Sequence, residues 1–271
     1  MTMNRRIVLA ALLALGCHGF NYTSPSGPRY AFSEPPAPVP PAASPDAVDS
    51  IRVVTFNVKY ARHIDQAITL LRSTAALQNA DIVTLQEMDE AGTRRIAEAL
   101  TMSYVYYPAS VEHGRDFGNA VLSRWPIVAD EKIVLPHHAR FVGTQRIATA
   151  ATITVRGLPL RVYSVHLATR MEIGPGSRRD QVRAVLANAA AYPRVVIGGD
   201  MNSRGIGRTF RAAGFLWPTE RNPRTHFLGN WDHIFLKGLA PGDSLGTGVA
   251  RDTIGASDHR PVWALALIPA H

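Results

Sequence analysis

From Ile51 onward, runs rich in β-branched and aromatic residues are cut by polar and glycine-containing turns, the pattern of short strands. IRVVTFNV, ADIVTLQEM, YVYYPA, GNAVLS, IATAATITV, LRVYSVHLA, RVVIGGD, DHIFL and RPVWALALI read as strands. Ile64, Ile68, Leu71 and Ala75 instead follow an i, i+4, i+7, i+11 spacing, which gives a helix between the first two strands one apolar face. Residues 177–192 place Val182, Val185, Leu186 and Ala189 on one side of a second helix, and EAGTRRIAEAL supplies a third. Between about residues 104 and 168 strand follows strand with no room for a helical crossover, so neighbours there are expected to be antiparallel. The sheets are therefore mixed. Roughly nine strands exceed what one twisted sheet usually holds, which predicts an α/β fold of two packed sheets with helices outside.

The chain opens differently. MTMNRRIVLAALLALG carries Arg5 and Arg6 ahead of an apolar stretch, Ile7 to Gly16, too short to span a bilayer. With Cys17 it resembles a bacterial lipoprotein signal, ALGC being a lipobox with Ala14 where Leu is usual. Residues 1–17 are thus expected to be a signal peptide ending at a lipidated Cys17, which would anchor the protein to a membrane. The expected location is the bacterial periplasm or outer membrane; a plain secretory signal is the competing reading. Residues 18–50, including SEPPAPVPPAASPDAVDS, read as a proline-rich linker ahead of a domain over 51–271.

Composition changes the picture in two respects. With 46% hydrophobic and 18% charged residues, the 271-residue chain can bury one sizeable core, which excludes disorder throughout. The formal charge of +8 comes mostly from arginine, since Lys59, Lys132 and Lys237 are the only lysines. Arginine favours phosphate partners, but a basic surface adapted for solubility accounts for the charge equally well. A single cysteine excludes an internal disulfide framework and any CxxC metal site.

Candidate chemistry sits where apolar runs stop. VVTFN ends at Asn57, IVTLQE at Glu87, YSVH at His166 and VIGGDMN at Asp200 and Asn202. WDHIF begins with Asp232, and Asp258 and His259 precede the last strand. Each alone has a bland explanation in turn chemistry or a satisfied core histidine. Together they can converge on one rim, where α/β folds bind ligands. Glu87 and Asp258 are hard oxygen donors and Asn57 offers an amide oxygen, a set suited to Mg2+ or Mn2+ rather than Zn2+. His137 and His138 do not alter this, because adjacent strand residues point to opposite faces.

TFN, LQE, GNAVLSRWPI, VHL, GGDMNS, WDHIF and SDHRPV, in that order over about residues 51 to 268, resemble the endonuclease/exonuclease/phosphatase superfamily. The resemblance implies a DNase I-like four-layer α/β/β/α sandwich and Mg2+-dependent hydrolysis of a phosphoester, with Mn2+ as the other candidate metal. It implies metal ligation by Asn57 and Glu87, with Asp258 contributing from the other side. Asp200 resembles the residue that orients or deprotonates the attacking water, and Asn202 the one that holds that water or a phosphate oxygen. Asp232 and His259 look like the carboxylate–histidine pair. His166 looks like the second histidine of the DNase I-like and sphingomyelinase-like branches, which speaks against the abasic-site repair branch. Asn119 is similar to a pocket-lining position.

The chemistry is reasonable on physical grounds. Phosphodiester hydrolysis needs positive charge aimed at the phosphate oxygens, which a divalent ion and a protonated His259 would supply. A neighbouring carboxylate such as Asp232 would raise and orient that histidine. Nucleic acid fits the arginine excess, which includes Arg115, Arg146, Arg178 and Arg179, with Arg146 a candidate substrate contact. A phospholipid or sphingomyelin headgroup fits the anchor, although no exposed aromatic hairpin is obvious, and inositol phosphates lack a lysine-rich pocket. From another class, the chain is readable as a non-catalytic polyanion-binding lipoprotein. The segments 112–117, 226–231 and 246–256 are the candidate selectivity loops.

Overall fold

Val53 and Val54 are both fully buried although adjacent strand residues face opposite ways. Both faces of their strand, β2 (Ser50–Asn57), are therefore covered. Val53 packs into a core shared with Val162, Val196 and Ile234, whereas Val54 joins Leu70, Leu71 and Ile96. Strands covered on both faces need continuous apolar runs rather than alternation, which is why VVTF and VVIG read as they do. The structure, a computed structural model, describes residues 20–33, 50–241 and 246–268. The candidate signal with Cys17 lies outside the described residues, as do residues 34–49.

One sheet has the order β1 (Tyr30–Phe32), β4 (Ser103–Glu112), β5 (Arg115–Ser123), β3 (Ile82–Met88), β2, β13 (Val262–Leu267) and β11 (Ala240–Pro241), with β12 (Thr247–Val249) also on β13. The other runs β10 (Asp232–Lys237), β9 (Val195–Asp200), β8 (Leu158–His166), β7 (Gln145–Val155) and β6 (Ile127–His138). The pairs β2/β3 and β8/β9 are parallel, and the other pairings are antiparallel. Each parallel pair is bridged by a helix, α1 (Ile64–Ser73) in the first and α3 (Pro175–Ala189) in the second. Helix α2 (Glu90–Leu100) lies beside α1, its N-terminus capped by Asp89, whose carboxylate accepts from Gly92 N at 2.7 Å. A short helix, α4 (Gly207–Ala212), packs with α3.

Three apolar cores separate the layers: α1 and α2 on the first sheet, sheet on sheet, and the second sheet on α3 and α4. This is the four-layer α/β/β/α sandwich that the resemblance implies. The sequence pattern misses β6, whose burial is mixed along an edge, and the very short β1, β11 and β12.

The reading of residues 18–50 as a linker is corrected for residues 20–33. Tyr30–Phe32 pairs with Tyr104–Tyr106, and Tyr22 N donates to Ala109 O at 2.8 Å. The buried Lys132 ammonium donates to Tyr22 O at 3.0 Å and Gly27 O at 2.8 Å. Arg29 grips Asp130 with Nε at 2.7 Å and Nη2 at 2.6 Å. Composition could not reveal this, because much of the segment's hold comes from its backbone groups on the open edge of β4, an edge otherwise left to pair with another chain.

Candidate active site

The two parallel pairs end at the same rim. Asn57 closes β2, His166 and Asp200 sit opposite each other at the ends of β8 and β9, and Asp232 opens β10 opposite Asp200. Strand register thus assembles these groups, which are far apart in the chain. Glu87 arrives by a different route. Leu85 faces the helices and Gln86 faces the second sheet, donating to Ser164 Oγ at 3.0 Å. Met88 again faces the helices, because the register with β5 shifts between Leu85 and Met88. Glu87 is the extra residue of this bulge, at φ 57, a left-handed conformation costing on the order of 1 to 3 kcal/mol. The strain re-aims its carboxylate at the rim. Asn202 is also left-handed, at φ 48, a conformation asparagine tolerates more readily than most residues.

Asn57 joins the two sheets chemically. Its Nδ2 donates to Glu87 Oε1 at 3.0 Å and to Asp200 Oδ2 at 3.1 Å, while its Oδ1 accepts from Lys59 N at 3.0 Å. Tyr60 N donates to Glu87 Oε2 at 3.2 Å. Two imidazoles flank Asp200 Oδ2, with Nε2 of His166 and Nε2 of His259 each 3.7 Å away. His259 Nδ1 lies 2.9 Å from Asp232 Oδ2, which fixes the ring. Asn202 turns inward: its N donates to Asp200 Oδ1 at 2.8 Å and its Nδ2 to Leu167 O at 2.8 Å. It therefore positions Asp200. Arg178 supports it by donating from Nη1 to Asn202 O at 3.0 Å, so this arginine serves the turn rather than an open surface.

Burial pushes the Glu87 carboxyl up, and the Asn57 amide and Arg146 offset only part of that. Asp200 is likewise raised by burial, with Asp232 and Glu87 adding to the effect against His259. Burial alone would lower His259, but the carboxylates of Asp232 and Asp200 reverse this and hold it protonated. His166 goes the other way: burial, then Arg146 and His259, keep its imidazole neutral. The two histidines are thus separated by environment, one a cation and the other a neutral donor and acceptor.

A cation fits here. Glu87, Asp200 and Asp232 concentrate carboxylate oxygen in one poorly solvated place, and Asp232 Oδ1 is buried without a hydrogen-bond partner. The donors are oxygens and imidazoles without thiolate, as a hard divalent ion prefers. Donor atoms of Asp200, Asp232 and His259 lie within 4.8 Å of one another, as do those of His226, Asp258 and His259. Asp258 stands at the rim, paired with Lys59 Nζ at 2.8 Å and held below the usual carboxylate range by that ammonium despite burial.

Asn119 and Arg146 sit differently from the other expected residues. Asn119 donates to Ile147 O at 2.8 Å and Ser164 O at 3.4 Å, tying one sheet to the other beneath the site. Arg146 is buried, with Nη2 on Glu172 Oε1 at 2.8 Å, Nη1 3.4 Å from His166 Nδ1, and its face on the Phe117 ring. Its observed contacts are to His166, Glu172 and Phe117. Sequence reading marks 226–231 as a candidate selectivity loop but does not assign His226 to the site, since HFLGNW carries no strand-end signal. Its ring stacks on Trp231 at 4.5 Å and lies 4.7 Å from His259. Two exposed apolar tips were also hidden: Phe141, 85% exposed, between β6 and β7, and Phe227, 73% exposed, beside His226.

A four-layer sandwich with a carboxylate–histidine pair, a second histidine and a buried acidic cluster at one rim defines a metal-dependent phosphoric ester hydrolase. Residues 54–259 match the Endonuclease/Exonuclease/phosphatase family, and the chain belongs to that family. No relative was found among the curated proteins. Among solved structures it is similar to a family protein from Leptotrichia buccalis C-1013-b, at 17% identity and TM-score 0.65, covering 80% of this chain and 99% of that one. D. rerio TDP2 complexed with single strand DNA product gives 18% identity and TM-score 0.63, over 80% of this chain and 98% of that one. The human Nocturnin catalytic domain with bound sulfate anion gives 18% and 0.61, over 88% and 97%. At these identities the likenesses show the fold.

Proposed function

We propose that the protein is an exported, Mg2+-dependent phosphodiesterase acting on nucleic acid. The observation that carries the reading is the Asp200 carboxylate set between two imidazoles, each with Nε2 3.7 Å from Oδ2, with Asp232 bonded behind one of them at 2.9 Å. Asp200 would orient the attacking water and take its proton as the ester P–O bond breaks. The His259 imidazolium would donate to a phosphate oxygen as negative charge develops there. His166, neutral, would donate from Nε2 to a non-bridging or departing oxygen. Glu87, Asn57 and Asp258 are the residues that would hold the metal; for Asn57 this requires turning its amide so that Oδ1 faces the ion. A bound divalent ion would add Lewis-acid charge at the phosphate.

Nucleic acid is supported by the arginine-rich charge of +8 and, by analogy, by the DNA product held by the similar TDP2 structure. Export to the periplasm or outer membrane, through a lipidated Cys17, is supported by the resemblance of residues 1–17 to a lipoprotein signal. A phospholipid substrate is the second reading, favoured by the exposed Phe141 tip.

The test is hydrolysis of supercoiled plasmid and of a single-stranded oligonucleotide in Mg2+, with and without EDTA, beside sphingomyelin vesicles and an inositol polyphosphate. Cleavage of DNA that EDTA abolishes, and that Asp200→Asn reduces by about 100-fold or more, is the expected result. Turnover confined to the lipid or the inositol phosphate would replace the substrate. DNA retention without hydrolysis under every metal would establish the non-catalytic polyanion-binding lipoprotein instead.

A further inference from the structure

Next to His259 the wall of the site opens into a cavity of about 460 Å³ lined by Arg224, Arg251 and Arg260. Within the described residues none of these three guanidinium groups has a hydrogen bond or an ion pair. Two acids share the cavity. Asp258 is paired with Lys59 at 2.8 Å, and Asp252 Oδ1 accepts from Thr253 N at 2.6 Å and Ile254 N at 3.0 Å. With Lys59 beside Asp258, four cations stand around this concavity against two carboxylates, and the excess focuses a positive potential inside it. A single small phosphodiester at Asp200 and His259 would leave that potential unused.

The cavity is also tied rigidly to the catalytic centre. His226, buried and stacked on Trp231, is one of its walls and lies ring to ring 4.7 Å from His259. Residues 226–229 form a tight turn, with His226 N donating to Gly229 O at 2.9 Å and Gly229 N to His226 O at 3.0 Å. That turn holds the Phe227 ring out at the cavity's edge. A planar aromatic beside an anion site is what a nucleotide, with one phosphate and one base per unit, can use.

We infer that the cavity of Arg224, Arg251 and Arg260 is a subsite for a second phosphate of the same strand, with Phe227 as the stacking surface for the attached base. The inference rests on the phosphodiesterase reading and deepens it: the substrate is a polynucleotide strand that spans two sites, rather than an isolated ester. Phosphate contacts of this kind fix register and add affinity without reading sequence.

The experiment compares the full chain with Arg224→Ala/Arg251→Ala/Arg260→Ala, and with Arg251→Ala as a milder second variant expected to show the same losses at a smaller size. Binding is read by anisotropy of a fluorescein-labelled single-stranded oligonucleotide in EDTA over a salt series. Hydrolysis is read in Mg2+ on the same oligonucleotide and on bis-p-nitrophenyl phosphate. The triple variant is expected to bind at least about tenfold more weakly at low salt, with a log–log salt slope shallower by about 0.7 for each phosphate no longer neutralised. Its kcat/KM on the oligonucleotide should fall at least about tenfold further than on the small ester, through KM. Unchanged binding and slope, or equal losses on both substrates, would overturn the subsite. If the wild-type chain binds the strand with the expected arginine dependence but hydrolyses neither substrate, the subsite stands and the phosphodiesterase reading fails. Hydrolysis of both substrates with no arginine dependence removes the subsite and leaves the phosphodiesterase reading in place.

Discussion

Arg146 presents Nη1 to Nδ1 of His166 at 3.4 Å while Nη2 is held by Glu172 at 2.8 Å. A guanidinium has donors only, so the histidine nitrogen facing it must accept. The remaining proton of the neutral ring then belongs on Nε2, which faces Asp200 Oδ2 at 3.7 Å. This tautomer is inferred from the partners of the ring. Arg146→Met removes the donor and frees the ring to rotate, and is expected to lower kcat by on the order of 100-fold with a smaller change in KM. Arg146→Lys, which cannot serve both partners from one fixed fork, should recover only part of the rate. Steady-state kinetics on the oligonucleotide and 15N imidazole shifts of His166 check both the rate and the tautomer; a wild-type rate in the Met variant would remove the positioning role.

The left-handed Glu87 leads to a metal-dependent stability. Its carboxylate is partly buried and repelled by that of Asp258, and it in turn raises Asp200, so a cation binding the folded state alone must stabilise the fold. At a hundredfold excess over Kd the gain is about 2.7 kcal/mol. Thermal melts of the wild type should move upward as Mg2+ or Mn2+ is added. Glu87→Gln should lose most of that response and show a metal-free melting temperature equal to or above wild type, since it discharges a carboxylate that desolvation disfavours. A metal response that survives the substitution would move the ion away from Glu87.

Much of the site is legible in the sequence because regular strands deliver it. Asn57, His166, Asp200 and Asp232 are terminal residues of strands whose apolar runs are visible, and parallel or antiparallel register does the rest. The helices are equally visible, since EAGTRRIAEAL coincides with Glu90–Leu100. What is not legible depends on exceptions to those periods. Nothing in IVTLQEM announces that Glu87 leaves the pleat, and His226 reaches His259 only through a non-periodic turn. Arg146 and Arg178 read as phosphate contacts, and only packing shows both spent inside.

Lys132 supplies a pH test of the docked N-terminal segment. It is 2% exposed, and burial pushes its ammonium down to about 8 from an ordinary value of 10.5. Between those two values the unfolded chain binds more protons at this site, so the lysine's contribution to stability rises with pH across that window and is lost as pH falls toward 8. Lys132→Met removes the titration and also the two donors to Tyr22 O and Gly27 O. The urea midpoint of the wild type minus that of the variant should therefore increase from pH 7.5 to pH 10. A difference that stays flat with pH would show that Lys132 is solvated and that the segment is held by its other contacts.

Gly198 carries the last prediction, because it sets the distance between the sheets just below Asp200. A Cβ there would lie 2.4 Å from Thr84 Oγ1 and 3.3 Å from Thr55 Cβ, both on the facing sheet. Neither atom is the loose end of a flexible side chain, so Gly198→Ala must spread the sheets or force a threonine off its rotamer, at about 1 to 3 kcal/mol. Spreading would act where Asn57 of one sheet reaches Asp200 of the other at 3.1 Å, so turnover should fall together with the urea midpoint. Thr84→Ala removes the nearest obstructing atom. In a double-mutant cycle it should therefore restore part of the stability and rate lost in Gly198→Ala, although alone it deletes a buried hydroxyl. Additive losses in the double variant would mean that the sheets are not held apart by this contact, and that the glycine pair before Asp200 serves the β9 backbone rather than sheet packing.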